Sequence, residues 1–262
     1  MLIAERAKVN EYHRANRARW NLGAEAWAAM HDRRDTWRVA HRDPEQVFLP
    51  QEMELIGDAD GRHVCVLGSG DNLAVFAFAG MGARVTSVDI SVEQLAVAQR
   101  RASELGLTIE FVESDVSDLG CLEDASFDMV YTGGHVAVWV SDLRAYYREA
   151  IRILRRRGLF LVNEYHPIRR IWKNRASSLE VGFSYFDNGP HEYRASEDVL
   201  EKASGEVKQY EFHWTVSEYL RAVIEQGVDL IRFEEIGDES EGWEAAPLQG
   251  LPQMLLIAGR KV

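Results

Sequence analysis

The stretch His63-Val64-Cys65-Val66-Leu67-Gly68-Ser69-Gly70-Asp71-Asn72 runs from an apolar segment into a glycine-paired turn, and Leu73-Ala74-Val75-Phe76-Ala77 continues with a helical pattern. A strand that ends in Gly-x-Gly and feeds a helix leaves bare main chain at its carboxyl end, where a ligand can lie close. The helix N-terminus adds unpaired N–H groups to that crevice. About twenty residues further on, the β-rich run 83–88 ends at Asp89, the spacing at which an acid meets ribose hydroxyls. Ser91-Val92-Glu93-Gln94 already forms a capping box for the next helix, so Asp89 is free for a ligand. The chemistry implied is recognition of a nucleotide-type cofactor.

Groups able to accept a proton cluster later, at the expected carboxyl ends of two further strands, where ligands bind in open sheets. His135 follows Thr132-Gly133-Gly134, and Glu164-Tyr165-His166 closes another apolar run. His135 is the first candidate for a general base and His166 the second. His213 and Trp214 stand at the far end of the segment that follows. Trp172, Phe183, Tyr185, Phe186 and Tyr193 lie within it; Tyr165, Trp172, Tyr185 and His213 are the expected substrate contacts. There is no Cys/His metal spacing and no Gly-x-Ser-x-Gly turn, so no metal is expected.

The elements that must position these residues alternate. Strands are expected at 63–67, 84–89, 108–113, 127–132 and 159–164. Helices are expected from Leu73 to Gly80, Val92 to Leu105, around Leu119 to Leu122, and Asp142 to Arg157, with Gly106 closing the second. Apolar strands alternating with helices predict a doubly wound parallel sheet. Residues 165–206 break the period, and so long an irregular segment in a compact domain points to a functional lid. A strand over 208–214, a helix opened by the capping box Thr215-Val216-Ser217-Glu218 and two final strands at 228–235 and 254–259 complete the chain, the last two joined by an acidic loop containing Trp243. Before the sheet, residues 1–57 read as a helical leader with Trp20, Leu22, Trp27 and Met30 as an apolar stripe, expected over the cofactor mouth or against the sheet edge. Asp43-Pro44-Glu45 opens a second helix there.

The net charge of −12 over 262 residues argues against a nucleic-acid partner. Arg152-Arg155-Arg156-Arg157 is expected to complement a helix C-terminus, and Arg169-Arg170-Lys173-Arg175 to form a solvated helix face, with contact to an anionic substrate as the alternative. Two cysteines give no disulfide framework, and Cys65 reads as a core residue. No apolar run suggests a membrane span or a signal sequence, so the expected compartment is the cytoplasm.

Taken together, Val64 to Gly70, Asp89, Asp115 after the third strand, Phe127-Asp128-Met129-Val130, Leu154 to Phe160 and the final Ala258-Gly259-Arg260-Lys261 resemble the class I S-adenosylmethionine-dependent methyltransferases over roughly residues 55 to 262. The resemblance implies a Rossmann-like doubly wound seven-stranded α/β sheet, mostly parallel with an antiparallel C-terminal strand. The core would cover 58–262, with 165–214 as a substrate lid after the fifth strand. It implies S-adenosylmethionine held by Gly68, Ser69, Gly70, Asp71, Asn72, Asp89, Ile90, Asp115, Val116, Thr132 and Gly133, and methyl transfer to O or N of a small molecule. A homodimer is compatible with it. Two positions depart from the family pattern: Val66 stands where an acid is usual, and Asn72 where a third glycine is usual. Asp71, or a carbonyl beyond Thr132, is the expected substitute for the missing acid. Two other classes share some of these features. A nicotinamide-dependent oxidoreductase would want a third glycine where Leu73 stands. A methyltransferase-like binding module without turnover would suit Val66 and Asn72.

Overall fold

The computed structural model describes residues 10–172, 180–194, 207–237 and 250–262. In chain order the elements are α1 (Glu11–Asp32), α2 (Pro50–Ile56), β1 (His63–Leu67), α3 (Leu73–Gly80), β2 (Arg84–Asp89), α4 (Val92–Leu105), β3 (Ile109–Glu113), β4 (Phe127–Gly133), α5 (Leu143–Ile153), β5 (Leu154–Tyr165), β6 (His191–Arg194), β7 (Lys208–Glu211), α6 (Val216–Ile224), β8 (Val228–Ile236) and β9 (Met254–Lys261). One seven-stranded sheet has the order β3-β2-β1-β4-β5-β9-β8, with β9 antiparallel to both its neighbours; β6 and β7 form a separate antiparallel pair. The sheet is the Rossmann-like architecture expected from the sequence. Its strand order reverses between β1 and β4, which places the ligand crevice at their carboxyl ends.

The central strands are apolar on both faces because helices cover both. Cys65, Leu67, Val130, Phe160 and Val162 pack with α5 and α6, while Val64, Val66, Met129, Tyr131 and Leu161 face α2 and α3. Side chains cap the helices: Asn72 accepts from the Ala74 N–H, Ser91 from Gln94, Asp142 from Ala145 and Thr215 from Glu218.

Several local expectations need correction. Helix α5 ends at Ile153, and Arg155, Arg156 and Arg157 lie in the amino end of β5, with Arg157 left-handed at φ 63°. Only Arg152 sits in the last helical turn, where it binds Glu149 and the carbonyls of Leu119 and Leu122. No helix forms over Leu119 to Leu122, and the segment opened by Asp43 is a single 3-10 turn, Pro44–Gln46. Strand β7 stops at Glu211, short of the 208–214 expected.

Helix α1 departs most. Its buried side carries His13, Asn16, Arg19, Gly23, Ala24 and Ala28, whereas Leu22 of the expected apolar stripe is 48% exposed. The first half of the helix covers strand ends and loops and buries polar residues, and the second half lays Ala24 and Ala28 against Val97 of α4. The expected lid is partly built of the β6–β7 pair; its residues 173–179 and 195–206 lie outside the described residues, as does the 238–249 stretch with Trp243.

Candidate functional site

The β1–α3 turn is shaped for close approach. Gly68 and Gly70 take φ values of 59° and 46°, which favour glycine, and a Cβ on Gly68 would fall 2.4 Å from Val136 Cγ1. The Gly70 N–H donates to Asp89 Oδ2 at 2.8 Å and the Ser91 N–H to Oδ1 at 2.7 Å. Burial nevertheless pushes the Asp89 carboxyl up to about 6, with these N–H groups opposing. Gln94 Oε1 lies 3.7 Å from the place a Gly70 side chain would take, buried and without a hydrogen-bond partner. An unpaired buried acceptor beside a bare glycine turn and a ribose-spaced acid fits an adenosine-type ligand.

The other expected cofactor residues divide into those at the crevice and those with structural partners. Asn72 Nδ2 donates to the Gly133 carbonyl at 3.1 Å, tying the turn to the end of β4. The Ser69 hydroxyl turns inward to Ser87 Oγ at 2.7 Å, and Thr132 Oγ1 bonds to Tyr146 Oη. Val116 is buried and Ile90 half-buried beside these strand ends. Asp71 is bound by Arg101 at 2.5 Å, and Arg101 also reaches the Ala28 carbonyl and Asp32. This corrects the expectation that Asp71 compensates for Val66: its carboxylate joins the glycine turn to Arg101 of α4, and Arg101 in turn holds the end of α1. Asp115 accepts from His13 Nδ1 at 2.5 Å and from the Ser117 N–H and hydroxyl. Burial raises the Asp115 carboxyl, but His13 and Ser117 outweigh it and hold it below its ordinary value. The sequence offered no sign that His13 of the leader would bind Asp115.

A second cluster lies at the carboxyl ends of β4 and β5. Glu164 is 1% exposed, and its Oε1 accepts the N–H groups of Val136 (3.0 Å) and Ala137 (2.9 Å). Burial drives its carboxyl up to about 7, with the two N–H donors and the Arg170 charge opposing. His135, left-handed at φ 79°, packs 4.6 Å from the Tyr165 ring, and Arg170 donates to its Nε2. Arg170 also pairs with Glu211 at 3.2 Å, and Glu211 lies 3.5 Å from His213. His213 stacks on His191 at 4.0 Å. The expected solvated face around Arg169 and Arg170 is therefore wrong for these two: Arg169 is 8% exposed, its guanidinium 3.4 Å over the Tyr165 ring. Lys173 and Arg175 lie outside the described residues.

His166 sits elsewhere in function. Its Nε2 binds Glu235 at 2.7 Å and its Nδ1 accepts the Ile168 N–H, so the ring caps the Pro167–Arg170 turn that carries the arginines. Both nitrogens are occupied structurally, which corrects its assignment as a second base. The Tyr185 hydroxyl accepts the Val216 N–H at the start of α6, and Trp172 bridges to Val181.

Helix α1 and strand β7 roof the two clusters. Asn16 bonds the Tyr210 N–H and carbonyl and the Trp139 carbonyl, and Asn21 meets Ser91. Beneath, Glu52 of α2 is fully buried, accepting from the Tyr131 hydroxyl and the Leu49 N–H. Arg19, Glu52 and His13 escaped sequence analysis because their surroundings come from distant segments. Glu211 does carry one legible signal, its place two residues before His213. Among the described residues there is no group of three or more His, Cys, Asp or Glu able to hold a metal, and no helix long and apolar enough to cross a membrane.

A family model described as a methyltransferase domain matches residues 65–162. An uncharacterised methyltransferase of Bacillus subtilis is 26% identical over 167 residues, 64% of each chain. A ubiquinone biosynthesis O-methyltransferase of Paraburkholderia phytofirmans is 33% identical over 103 residues, 35% of this chain and 44% of that one. The chain thus spans less than two thirds of the length of these relatives. Among solved structures, an S-adenosylmethionine-dependent methyltransferase from Mesorhizobium loti superposes with TM-score 0.62 at 24% identity, covering 81% of this chain and 96% of that one. Magnesium protoporphyrin IX methyltransferase from Synechocystis, with bound S-adenosylhomocysteine, gives 0.61 at 16% identity over 96% and 100%. At these identities the likeness is one of fold.

Proposed function

We propose that the chain is a class I S-adenosylmethionine-dependent methyltransferase and that it methylates an oxygen or nitrogen of a small molecule in a chamber beneath α1 and β7, a reading supported by the methyltransferase-domain match and the shared fold. S-adenosylmethionine is its cofactor. The residues present fit it: Asp89 for the ribose, the unpaired Gln94 Oε1 beside Gly70, and the bare main chain at Gly70. When bound, the cofactor supplies a methyl group on a sulfonium, which departs as a neutral thioether.

The protein's own part is positioning and proton removal. Asn72 ties the glycine turn to β4, so cofactor crevice and acceptor chamber share one rigid rim. His135 and Tyr165 face the chamber as acceptor contacts, with His213 further along the same cluster. Arg170 donates to His135 Nε2, and the ring thereby serves to orient the acceptor. Glu164 takes the proton that the acceptor's O–H or N–H releases as its lone pair bonds the methyl carbon. A carboxyl held near neutrality suits that task. The observation that carries this reading is a buried acid on each side of the crevice: Asp89 at the end of β2 binds the glycine turn, and Glu164 near the end of β5 binds the N–H groups that follow His135.

Titration of S-adenosylhomocysteine into cofactor-stripped protein, with NADH in parallel, tests it. Saturable micromolar binding of the former alone is expected. Binding of NADH alone would replace the reading with a nicotinamide-dependent one. No binding of either would refute cofactor-dependent turnover.

A further inference from the structure

Helix α1 carries Arg19, Gly23 and Trp27 four residues apart, one above the other. Arg19 is 5% exposed. Its Nε donates to Gln209 Oε1 at 2.8 Å, but its Nη1 is buried without a hydrogen-bond partner, as is the Trp27 indole Nε1. Both nitrogens lie 3.5 Å from the point a Gly23 Cβ would occupy. Glycine in mid-helix is unfavourable against alanine; here its bare backbone lets the Arg19 and Trp27 side chains close over it, with two N–H donors converging. Buried donors are nearly always paired, and a buried guanidinium without a close anion is costly. The nearest acid named by its field, Glu211, is itself bound to Arg170.

The pair of donors adjoins the acceptor chamber through a chain of aromatic rings. His135 lies 6.1 Å from Trp139, Trp139 5.3 Å from Trp20, and Trp20 6.0 Å from Trp27, centroid to centroid. The Arg19 guanidinium sits 4.4 Å from the Trp20 ring centre. The rings pack mostly edge to face and give an aromatic lining between His135 and Trp27, and a planar guanidinium with an adjacent indole N–H is suited to an anionic oxygen group.

We propose that Arg19 and Trp27 form a subsite for an anionic group on the methyl acceptor, which makes the acceptor an aromatic small molecule bearing a carboxylate or a phosphate. Calling the ligand a methyl acceptor rests on the proposed function; the anion subsite does not. The test uses the full chain saturated with S-adenosylhomocysteine, into which benzoate, phenyl phosphate and the neutral benzamide are titrated by calorimetry and tryptophan fluorescence. Saturable binding of an anion but not of benzamide is expected, and the tighter anion identifies carboxylate or phosphate. Arg19→Gln should weaken the anion by about ten- to a hundredfold and leave S-adenosylhomocysteine binding unchanged. Trp27→Phe removes one neutral donor and should weaken it less. Arg19→Lys keeps the charge without the planar fork, and with Trp27→Phe it decides the matter if Arg19→Gln melts at the assay temperature. Anions binding no better than benzamide, or equally well to the variants, would overturn the subsite. Failure of the parent protein to bind S-adenosylhomocysteine would instead overturn the methyltransferase function, and the anion titrations would still judge Arg19 and Trp27.

Discussion

Replacing Glu164 by Gln isolates its proton from its shape. The amide oxygen still accepts the Val136 and Ala137 N–H groups, so the loop carrying His135 keeps its support. What disappears is a carboxyl whose titration lies at about 7 instead of its ordinary 4.5. Between those values the folded protein holds a proton that the unfolded chain has lost, so this group makes stability fall as pH rises through the window and level off above it. At about 1.4 kcal/mol per pH unit, the interval corresponds to about 3 kcal/mol by which the ionised group weakens the fold above neutrality. Glu164→Gln should therefore steepen no transition at pH 4.5, yet raise stability progressively toward neutrality, by up to about 3 kcal/mol in urea unfolding. Activity should move the other way. In the parent, kcat/KM rises with pH and levels above about 7, where Glu164 is ionised. The variant should lose that limb and about 10²–10⁴ in rate. An unchanged pH–rate profile in the variant would refute the assignment of the proton to Glu164. A stability difference independent of pH would refute the burial argument beneath it.

Asp89→Ala should weaken S-adenosylhomocysteine by about 1–3 kcal/mol, and parent affinity should fall as acid protonates this carboxyl near pH 6, both read by calorimetry. His135→Ala should lower turnover with cofactor affinity nearly intact; equal turnover would remove it from the acceptor chamber. His13→Ala leaves the buried Asp115 carboxylate without its close partner and should cost about 3–5 kcal/mol in unfolding experiments near neutral pH, with a smaller loss in acid where Asp115 is protonated.

The geometry of the glycine turn and the helix starts was legible because its determinants are local. The glycine turn, Asp89 at its spacing and the caps at Asn72, Ser91 and Thr215 each act within a few residues or one βα unit, and a doubly apolar strand states its burial in its own composition. The partners of the charged candidates were not. Asp71 and Asp115 looked alike as candidate ligands, and only packing gave Asp71 to Arg101 and Asp115 to His13. His135 and His166 likewise differ through what lies across from them, a guanidinium at one and Glu235 at the other. Helix α1 misleads most in sequence, since half of the residues it buries are polar and take partners from β7 and the loops after β3 and β4, and the rest are small residues, of which Ala24 and Ala28 pack on α4. Residue types and near-neighbour spacing determine which elements form and where a ligand's phosphate-free main-chain cradle lies. The charge state, partner and availability of each side chain depend on desolvation and on groups distant in sequence, and those exist only once the chain has folded.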